Sequence, residues 1–429
     1  MNYTIYSHNS ASRLLQIDYR FKTNSSISLI SFYNKNPLFT SRLTSITAHD
    51  SKGKELELNR SSPYEWTLVS TNKCNVCISY IIHAFFMDPK ETYSSGDTWI
   101  INPQSCFMHA KDINDPCDLI FILPDENFKI SSNKDYIDDI EGKIFNFENY
   151  NKMLEYPIMI GLNTITLISD KLYITTHIKG LLSDNEKEQI QNTINNIEQW
   201  ILETDISISI PVTILLYIVP KEIETKGLNY GISSYESSTL IISPSENKQL
   251  QNDLIESIIK HTLPYNYDDN MLFFREGFNR LKYMKYYKTI LSTEDYRLKL
   301  EKSYIRTFCL KQEINENILD SSISNLTRNS NLLTTYPIDK GFVICQMIDI
   351  LLSRKNENIL HHLHHLNSKD NLNISTINNI FKENIDWFWN LAIHSKQNDG
   401  FLSICKSLIL DLNYNLEQPK KGPVKLLIC

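Results

Sequence analysis

The sequence predicts an α+β protein of several domains, with a β-rich N-terminal part, an α/β middle part and a helical C-terminal part. Its 429 residues are enough for two or three domains. Short β-branched and aromatic runs separated by turn residues fill the first 165 residues. Amphipathic helical patterns begin near residue 182 and dominate beyond residue 310. We therefore expect domains at residues 1–165, 166–310 and 311–429.

The composition excludes several classes of function. The formal net charge is −7, so no basic surface is expected to recruit nucleic acid or an anionic membrane. Neither a G-x-G-x-x-G nor a G-x-x-x-x-G-K-[ST] phosphate-binding loop occurs in the sequence. The N-terminal residues lack a signal-peptide pattern, and the chain has no stretch of 18 apolar residues. We expect a cytoplasmic protein with no membrane or nucleic-acid partner.

The N-terminal domain is predicted to be an antiparallel β-sandwich, because its strand-like runs are short and regularly spaced. These runs include SISLISFY, EWTLVS, NVCISYIIHAFF, DLIFILP and NTITLIS. Turn-forming segments such as HDSKGKE and MDPKETYSSGD separate them.

The middle domain begins with an amphipathic helix over residues 182–203. Its apolar face consists of isoleucines at three- and four-residue steps, namely Ile190, Ile194, Ile197 and Ile201. Ser183 or Asp184 is expected to cap this helix. Residues 210–219 and 238–243 are β-branched runs that predict two buried strands.

Two further helices are predicted between residues 249 and 310, and more follow beyond residue 310. The first covers residues 249–261 and places Leu250, Leu254, Ile258 and His261 on one face. The second starts near Met271 and carries the tripeptide Glu-Gly-Phe at 276–278. Beyond residue 310, the clearest helical segments are residues 340–353 and 375–395.

Two helices with E-G-F on the second are similar to the arrangement of a gluzincin metallopeptidase. In that chemistry, H-E-x-x-H places two His side chains on one helix face, where both bind one zinc ion. The Glu beside the first His is the general base, and the second helix donates a Glu as third ligand.

The chain resembles the M61 family, the glycyl aminopeptidase-like peptidases, in six segments that follow the family's order. They are INPQSCFM (101–108), FENYNKMLEYPIMIG (147–161), LNYGISSYESSTLIISP (228–244), SIIKHTLPY (257–265), LFFREGFNRLKYMKYY (272–287) and YPIDKGFVICQMIDILL (336–352). The resemblance implies a thermolysin-like α/β middle domain between a β-rich sandwich and a helical C-terminal domain. It also implies a substrate edge strand within residues 228–244.

Most of the family's catalytic residues are replaced at the matched positions. The first zinc-binding His falls on Ser257 and the general-base Glu on Ile258, whereas His261 and Glu276 retain the other two ligands. A shifted frame that uses Glu256 as the base would place isoleucines at both His positions. Two ligands do not hold a catalytic zinc against water, so the sequence predicts no metal, no cofactor and no zinc peptidase activity.

The substrate-binding positions are replaced as well. The family's Glu that binds the substrate amine falls on Ser234, and its oxyanion-stabilising Tyr falls on Ile338, two residues after Tyr336. By the same match, Tyr230, Tyr235, Glu236 and Tyr336 would line the former cleft, with Ser257 beside them. Aromatic faces attract cations, although 23 tyrosines in the chain make some coincidence expected.

Two readings of His261 and Glu276 stay open. The two side chains could form a structural hydrogen bond in a former metal site. Alternatively, they form a metal-free acid/base pair in which Glu276 raises the basicity of His261.

Three other motifs are expected to be structural. Cys74 and Cys77 form an isolated C-x-x-C in a strand-like run, with no second pair to complete a zinc site. The histidines between His361 and His365 are expected to form a polar helix end, although i and i+4 spacing would also suit a metal. The basic and aromatic run at residues 280–288 is expected to be a solvated helix face with aromatic packing.

Two classes of function follow. In the first, the former cleft performs metal-independent acid/base chemistry on a small molecule, such as cyclisation, isomerisation or hydrolysis. In the second, the protein is a non-catalytic pseudopeptidase that binds a peptide terminus or a partner protein. An edge strand near residues 237–242 would then pair with an extended peptide. The sequence leaves the oligomeric state open.

Overall fold

The computed structural model describes residues 1–7, 13–33, 41–70, 73–85, 91–204, 212–219, 230–233, 237–242, 247–260, 272–309, 331–364, 374–381, 385–390, 392, 414–417 and 425–428. The chain divides into two compact units. The first comprises Met1–Glu198 with Ile210–His261, and the second comprises Gln199–Ser209 with Thr262–Cys429.

The N-terminal region of the first unit is built from short strands, as its sequence predicts. Its elements are β1 (Asn2–Ser7), β2 (Leu14–Lys22), β3 (Ile27–Phe32), β4 (Leu43–Asp50), β5 (Glu57–Ser62), β6 (Glu65–Val69), β7 (Asn75–His83), β8 (Tyr93–Ser94), β9 (Thr98–Ile101), α1 (Pro103–Cys106), β10 (Met108–Ala110), β11 (Cys117–Ile122), β12 (Lys129–Ser131), β13 (Ile137–Asp139), β14 (Gly142–Phe147), α2 (Tyr150–Met153) and β15 (Ile158–Gly161).

These strands form three sheets. A seven-stranded sheet has the order β13-β14-β11-β1-β2-β7-β4, and two four-stranded sheets have the orders β10-β3-β6-β5 and β12-β15-β9-β8. The described pairs are antiparallel, as expected, with the exception of β1 and β11, which run parallel. Strand β2 shows the period-2 burial of a sheet with one face inside, since Leu15, Ile17 and Tyr19 are fully buried.

Buried tyrosines fix the segment INPQSCFM. The hydroxyls of Tyr80, Tyr150 and Tyr3 donate to the carbonyls of three consecutive residues, Cys106, Phe107 and Met108, at 2.9 Å each. A buried tyrosine hydroxyl needs such a partner. Tyr150 belongs to the segment FENYNKMLEYPIMIG, so these two M61-like segments are joined by a structural contact.

The rest of the first unit contains a five-stranded sheet and its helices. The elements are β16 (Ile165–Ile168), β17 (Thr175–Lys179), α3 (Asp184–Glu203), β18 (Thr213–Ile218), β19 (Tyr230–Ser233), β20 (Ser237–Ile242) and α4 (Asn247–Lys260). The sheet order is β16-β17-β18-β20-β19, and β17, β18 and β20 are parallel.

Helix α3 confirms the sequence pattern in detail. Its four predicted isoleucines are at most 1% exposed. Ser183 is the cap: its Oγ accepts from the Glu186 backbone N–H at 3.3 Å, and the Glu186 carboxylate accepts from the Ser183 N–H at 2.8 Å. This reciprocal capping box satisfies backbone donors that the first helical turn leaves open.

The prediction that residues 237–242 form the sheet edge is wrong. Strand β20 lies between β18 and β19, and β19 is the outermost described strand on that side. The chain forms β19 first and then turns back, so the antiparallel hairpin covers one side of β20. The edge position therefore belongs to Tyr230–Ser233.

Two sets of contacts join the five-stranded sheet to the N-terminal sheets. One is an apolar cluster of Tyr93, Ile100, Met159, Leu215, Tyr217 and Val219. The other centres on Lys179, whose Nζ donates to Asp97 Oδ2 at 2.8 Å and to the Leu162 carbonyl at 2.6 Å. Because Lys179 is largely buried, its ammonium group needs both acceptors.

The second unit is mainly helical. Its elements are α5 (Leu272–Ile290), α6 (Thr293–Cys309), α7 (Asn331–Ser353), α8 (Ile359–His364), α9 (Ile374–Phe381), α10 (Asp386–Trp389) and the hairpin of β21 (Tyr414–Glu417) and β22 (Lys425–Ile428). Helix α7 starts nine residues before the predicted start at 340 and includes Pro337. The predicted helix 375–395 is described as two helices, α9 and α10.

Candidate functional site

The edge of the five-stranded sheet carries the first of the predicted site residues. Tyr230 pairs with Ile241 and Gly231 with Leu240, so the N-terminal end of β19 is held in register by β20. Ser234, Tyr235 and Glu236 lie outside the described residues, and their expected substrate-binding role stays a prediction.

Helix α4 buries the two positions that the sequence match aligns with the family's first zinc-binding His and general-base Glu. Ser257 is 5% exposed and Ile258 is fully buried. Glu256 instead has half of its side chain in solvent and pairs with Lys260 at 3.5 Å, one turn further along. Helical geometry puts neighbouring residues about 100° apart, so Glu256 faces a different side of α4 from Ser257. His261 follows the last described residue of α4 and lies outside the described residues.

In the second unit, the two remaining M61-like helices cross at a pair of glycines. A Cβ atom at Gly277 of α5 would lie 2.5 Å from the carbonyl carbon and oxygen of Gly341 in α7 and 2.8 Å from Cys345 Sγ. Only glycine permits this approach. The segments E-G-F and K-G, which the sequence shows far apart, therefore meet at this crossing.

Charged groups surround the glycine crossing. Glu276 precedes Gly277 and is partly exposed. Arg280, one turn later, places Nη1 3.4 Å from Oδ1 of Asp339, whose side chain is 1% exposed. Lys340 is also buried, at 5% exposure. Tyr336 lies in α7, within the part of the helix whose side chains are not described.

One expectation for α5 is wrong. Lys282 was predicted to belong to a solvated helix face, but it is fully buried. It shares a helix face with Phe278 and Tyr286, four residues to either side, and both of these are buried. Burial holds the pKa of the Lys282 amine well below its usual range, because the charged ammonium form would lack its hydration in this environment.

By the match made from the sequence, the family's three ligand positions fall on Ser257, His261 and Glu276. The structure adds that the Ser257 hydroxyl is buried. One imidazole and one carboxylate then remain, and this donor set does not fit the zinc site of a gluzincin. Within the described residues, no three His, Cys, Asp or Glu side chains are grouped closely enough to hold a metal ion.

The other candidate motifs have structural surroundings. In α8, His362 Nε2 lies 2.6 Å from Glu357 Oε2, and His361 is exposed, as expected of a polar helix end. His365 lies outside the described residues. The sulfur atoms of Cys74 and Cys77 contact the hydroxyls of Thr23 and Ser79, at 3.6 and 3.7 Å.

Sequence reasoning missed the pairing of Arg280 with Asp339. Arg280 was assigned to a solvated basic run, and Asp339 received no assignment. The sequence offers only a partial signal: an acidic residue in an apolar helix needs a cationic partner when it is buried, but the sequence does not say which cation.

The described residues form a mixed α+β protein with a β-rich N-terminal region and a helical C-terminal part. Residues 38–162 match the model of the Peptidase M61 N-terminal domain. This match confirms the predicted M61-like resemblance.

Solved structures show the same fold. An aminopeptidase N family protein from Idiomarina loihiensis superimposes with a TM-score of 0.76 at 16% identity, over 97% of this chain and 79% of that chain. A yeast leukotriene A4 hydrolase in complex with bestatin gives a TM-score of 0.55 at 12% identity, over 92% of this chain and 67% of that one. A comparison with curated proteins finds no match. Among the helices of the described segments, none is both long and apolar enough to cross a bilayer.

Proposed function

We propose that this M61-like protein has lost zinc peptidase activity and uses its former cleft for metal-independent acid/base chemistry on a small molecule, such as cyclisation, isomerisation or hydrolysis. The inner face of α4 carries this proposal. Ser257 and Ile258, both buried, stand where the family's first zinc ligand and general base are matched. A serine hydroxyl binds zinc poorly, and an isoleucine cannot accept a proton from water.

In this proposal His261 and Glu276 form the proton-transfer pair. Imidazole changes its charge near neutral pH, and a neighbouring carboxylate would strengthen it as a base. The family match supplies the substrate-binding residues, which are Tyr230, Ser234, Tyr235, Glu236, Ser257 and Tyr336. We also propose that the former catalytic domain spans residues 166–310, between the β-rich domain at 1–165 and the helical domain at 311–429.

An activity screen in the presence of a metal chelator tests this function. The protein is incubated with a small-molecule extract and EDTA, and mass spectrometry follows which compounds are consumed. We expect a product that forms in EDTA and disappears with His261→Ala and with Glu276→Gln. His361→Ala, which removes an exposed histidine in α8, is the matched control and should retain activity. A product that persists in His261→Ala would rule out the proton-transfer pair.

The second candidate is a non-catalytic binder of a peptide terminus, and the position of β19 favours it. Among the described strands, β19 ends the five-stranded sheet, so its outer backbone groups are placed to pair with an extended peptide. Titration calorimetry with peptides carrying free or acetylated N-termini separates the two candidates. Tight binding that is unchanged in His261→Ala, without turnover, supports the binder.

A further inference from the structure

Strand β16 ends the five-stranded sheet on the side opposite β19. Among the described strands it pairs with β17 alone, in an unbroken antiparallel register from Ile165 with Ile178 to Ile168 with Thr175. Its sequence, Ile-Thr-Leu-Ile, contains no charged residue and no proline. An apolar edge strand without such residues is a template for pairing with another strand.

Three other edge strands carry features that hinder such pairing. Strand β4, at one end of the seven-stranded sheet, has a break in register between Leu43 and Ser45, and β5, at the end of a four-stranded sheet, has one between Arg60 and Ser62. Strand β5 also carries exposed charged side chains, and β13, at the other end of the seven-stranded sheet, carries two exposed aspartates. Proteins commonly use bulges and charges to block association between sheet edges. Strand β16 has neither feature.

The outward backbone groups of β16 belong to Thr166 and Ile168. The Thr175 N–H donates to the Val212 carbonyl at 2.8 Å, toward β18. Because residues of an antiparallel ladder alternate between bonded and non-bonded pairs, Ile168, which lies opposite Thr175, and Thr166 direct their N–H and C=O groups away from β17. The Ile168 carbonyl accepts from Gln191 Nε2 of α3 at 3.3 Å, and its second lone pair can accept another hydrogen bond.

Exposed apolar side chains accompany this edge. Ile168 is 50% exposed, and Tyr173, in the turn between β16 and β17, is 67% exposed. The φ of Tyr173 is 53°, in the left-handed region that a tyrosine rarely adopts. Glu198 of α3 fixes the backbone of this turn by accepting from the N–H groups of Lys171 and Leu172. Tyrosine is enriched among the residues that dominate protein interfaces, so this turn suits a contact with another chain.

We propose that two copies of this chain associate through β16, with the two strands antiparallel across a two-fold axis at Leu167. In this register Thr166 of each protomer lies opposite Ile168 of the other, and each pair exchanges two hydrogen bonds between N–H and C=O groups. A two-fold axis brings the same surface of both chains together. An uncharged edge suits this arrangement, because each chain carries a net charge of −7 and a charged edge would repel its copy. The association does not depend on His261 or Glu276.

Sedimentation equilibrium of the 429-residue chain tests the association. One copy has a mass of 50.1 kDa. An interface centred on a four-residue strand is small, and small interfaces form weak complexes. We therefore expect the average mass to rise toward that of two copies as the concentration increases from about 1 to 500 μM. A mass that stays at 50.1 kDa, or one that passes beyond two copies, would overturn the proposal.

Two double variants test the register. Thr166→Glu with Ile168→Lys places opposite charges directly across from each other in the dimer, whereas Thr166→Lys with Ile168→Lys places like charges there. We expect the first variant to dimerise as well as the parent chain and the second to lose at least about tenfold in association constant.

Ile137→Lys is the matched control, because it changes an exposed isoleucine of the edge strand β13 and should leave the association unchanged. Circular dichroism checks that each variant is folded. Equal association of the two double variants would overturn the proposed register. Loss of association in Ile137→Lys would place the interface on a different sheet and overturn the proposal.

Discussion

Replacing Gly277 by alanine tests the helix crossing that positions Glu276. Helix propensity alone predicts that alanine stabilises α5 by about 0.5–1 kcal/mol. The structure predicts the opposite, because the new Cβ would lie 2.5 Å from the Gly341 carbonyl carbon and oxygen and 2.8 Å from Cys345 Sγ. Two of these three atoms belong to backbone, so α5 and α7 must separate. Inserting a methyl group into a well-packed core lowers the free energy of unfolding by about 1–3 kcal/mol, and we expect the upper end of this range here.

The net expectation for Gly277→Ala is a loss of about 2 kcal/mol in the free energy of unfolding, after the gain in propensity is subtracted. Urea unfolding followed by circular dichroism at 222 nm measures it. Lys288→Ala, at an exposed position of the same helix, should change the free energy by less than about 0.5 kcal/mol. A Gly277→Ala protein as stable as the parent chain would refute the close crossing.

Two further predictions concern the first unit. Burial lowers the pKa of His109 from 6.5 to about 4. As the pH drops, the unfolded chain therefore binds a proton at this histidine before the folded chain does, and stability falls between about pH 6.5 and pH 4. Urea unfolding at pH 4.5 and 7 measures this loss of stability, and His109→Phe should reduce it by at most about 3 kcal/mol. A loss as large in His109→Phe as in the parent chain would show that His109 does not cause it. Glu198 accepts the backbone N–H groups of Lys171 and Leu172 at 2.8 and 2.5 Å. In thermal unfolding, Glu198→Gln should lower the stability by about 1–2 kcal/mol, whereas the exposed control Glu188→Gln should leave it unchanged. Equal losses in the two variants would contradict a stabilising role for the two hydrogen bonds to Glu198.

Local periodicity made much of the fold predictable. The isoleucines of α3 and the cap at Ser183 follow from spacing within one helix, and the structure confirms both. The short strands of the N-terminal region were equally visible, because turn residues separate them. The family resemblance was predictable as well, since it rests on the order of short segments.

Contacts between distant residues were not predictable. The hydroxyl of Tyr3 reaches the carbonyl of Met108, and Arg280 reaches Asp339, through packing that no local pattern encodes. The position of β20 inside its sheet depends on how the hairpin folds back. Lys282 was assigned to solvent with the basic run around it, but it is buried on the same helix face as Phe278 and Tyr286.

The metal content of the purified protein tests the central claim most directly. The tag-free chain is prepared without nickel resin or chelator, supplied with zinc, desalted and measured by elemental analysis. We predict less than about 0.1 zinc per chain, because one His and one Glu do not hold a catalytic zinc. Ser257→His, which restores the missing ligand type at a position that is 5% exposed, should raise the content toward one zinc per chain. Near one zinc in the unaltered chain would contradict the account.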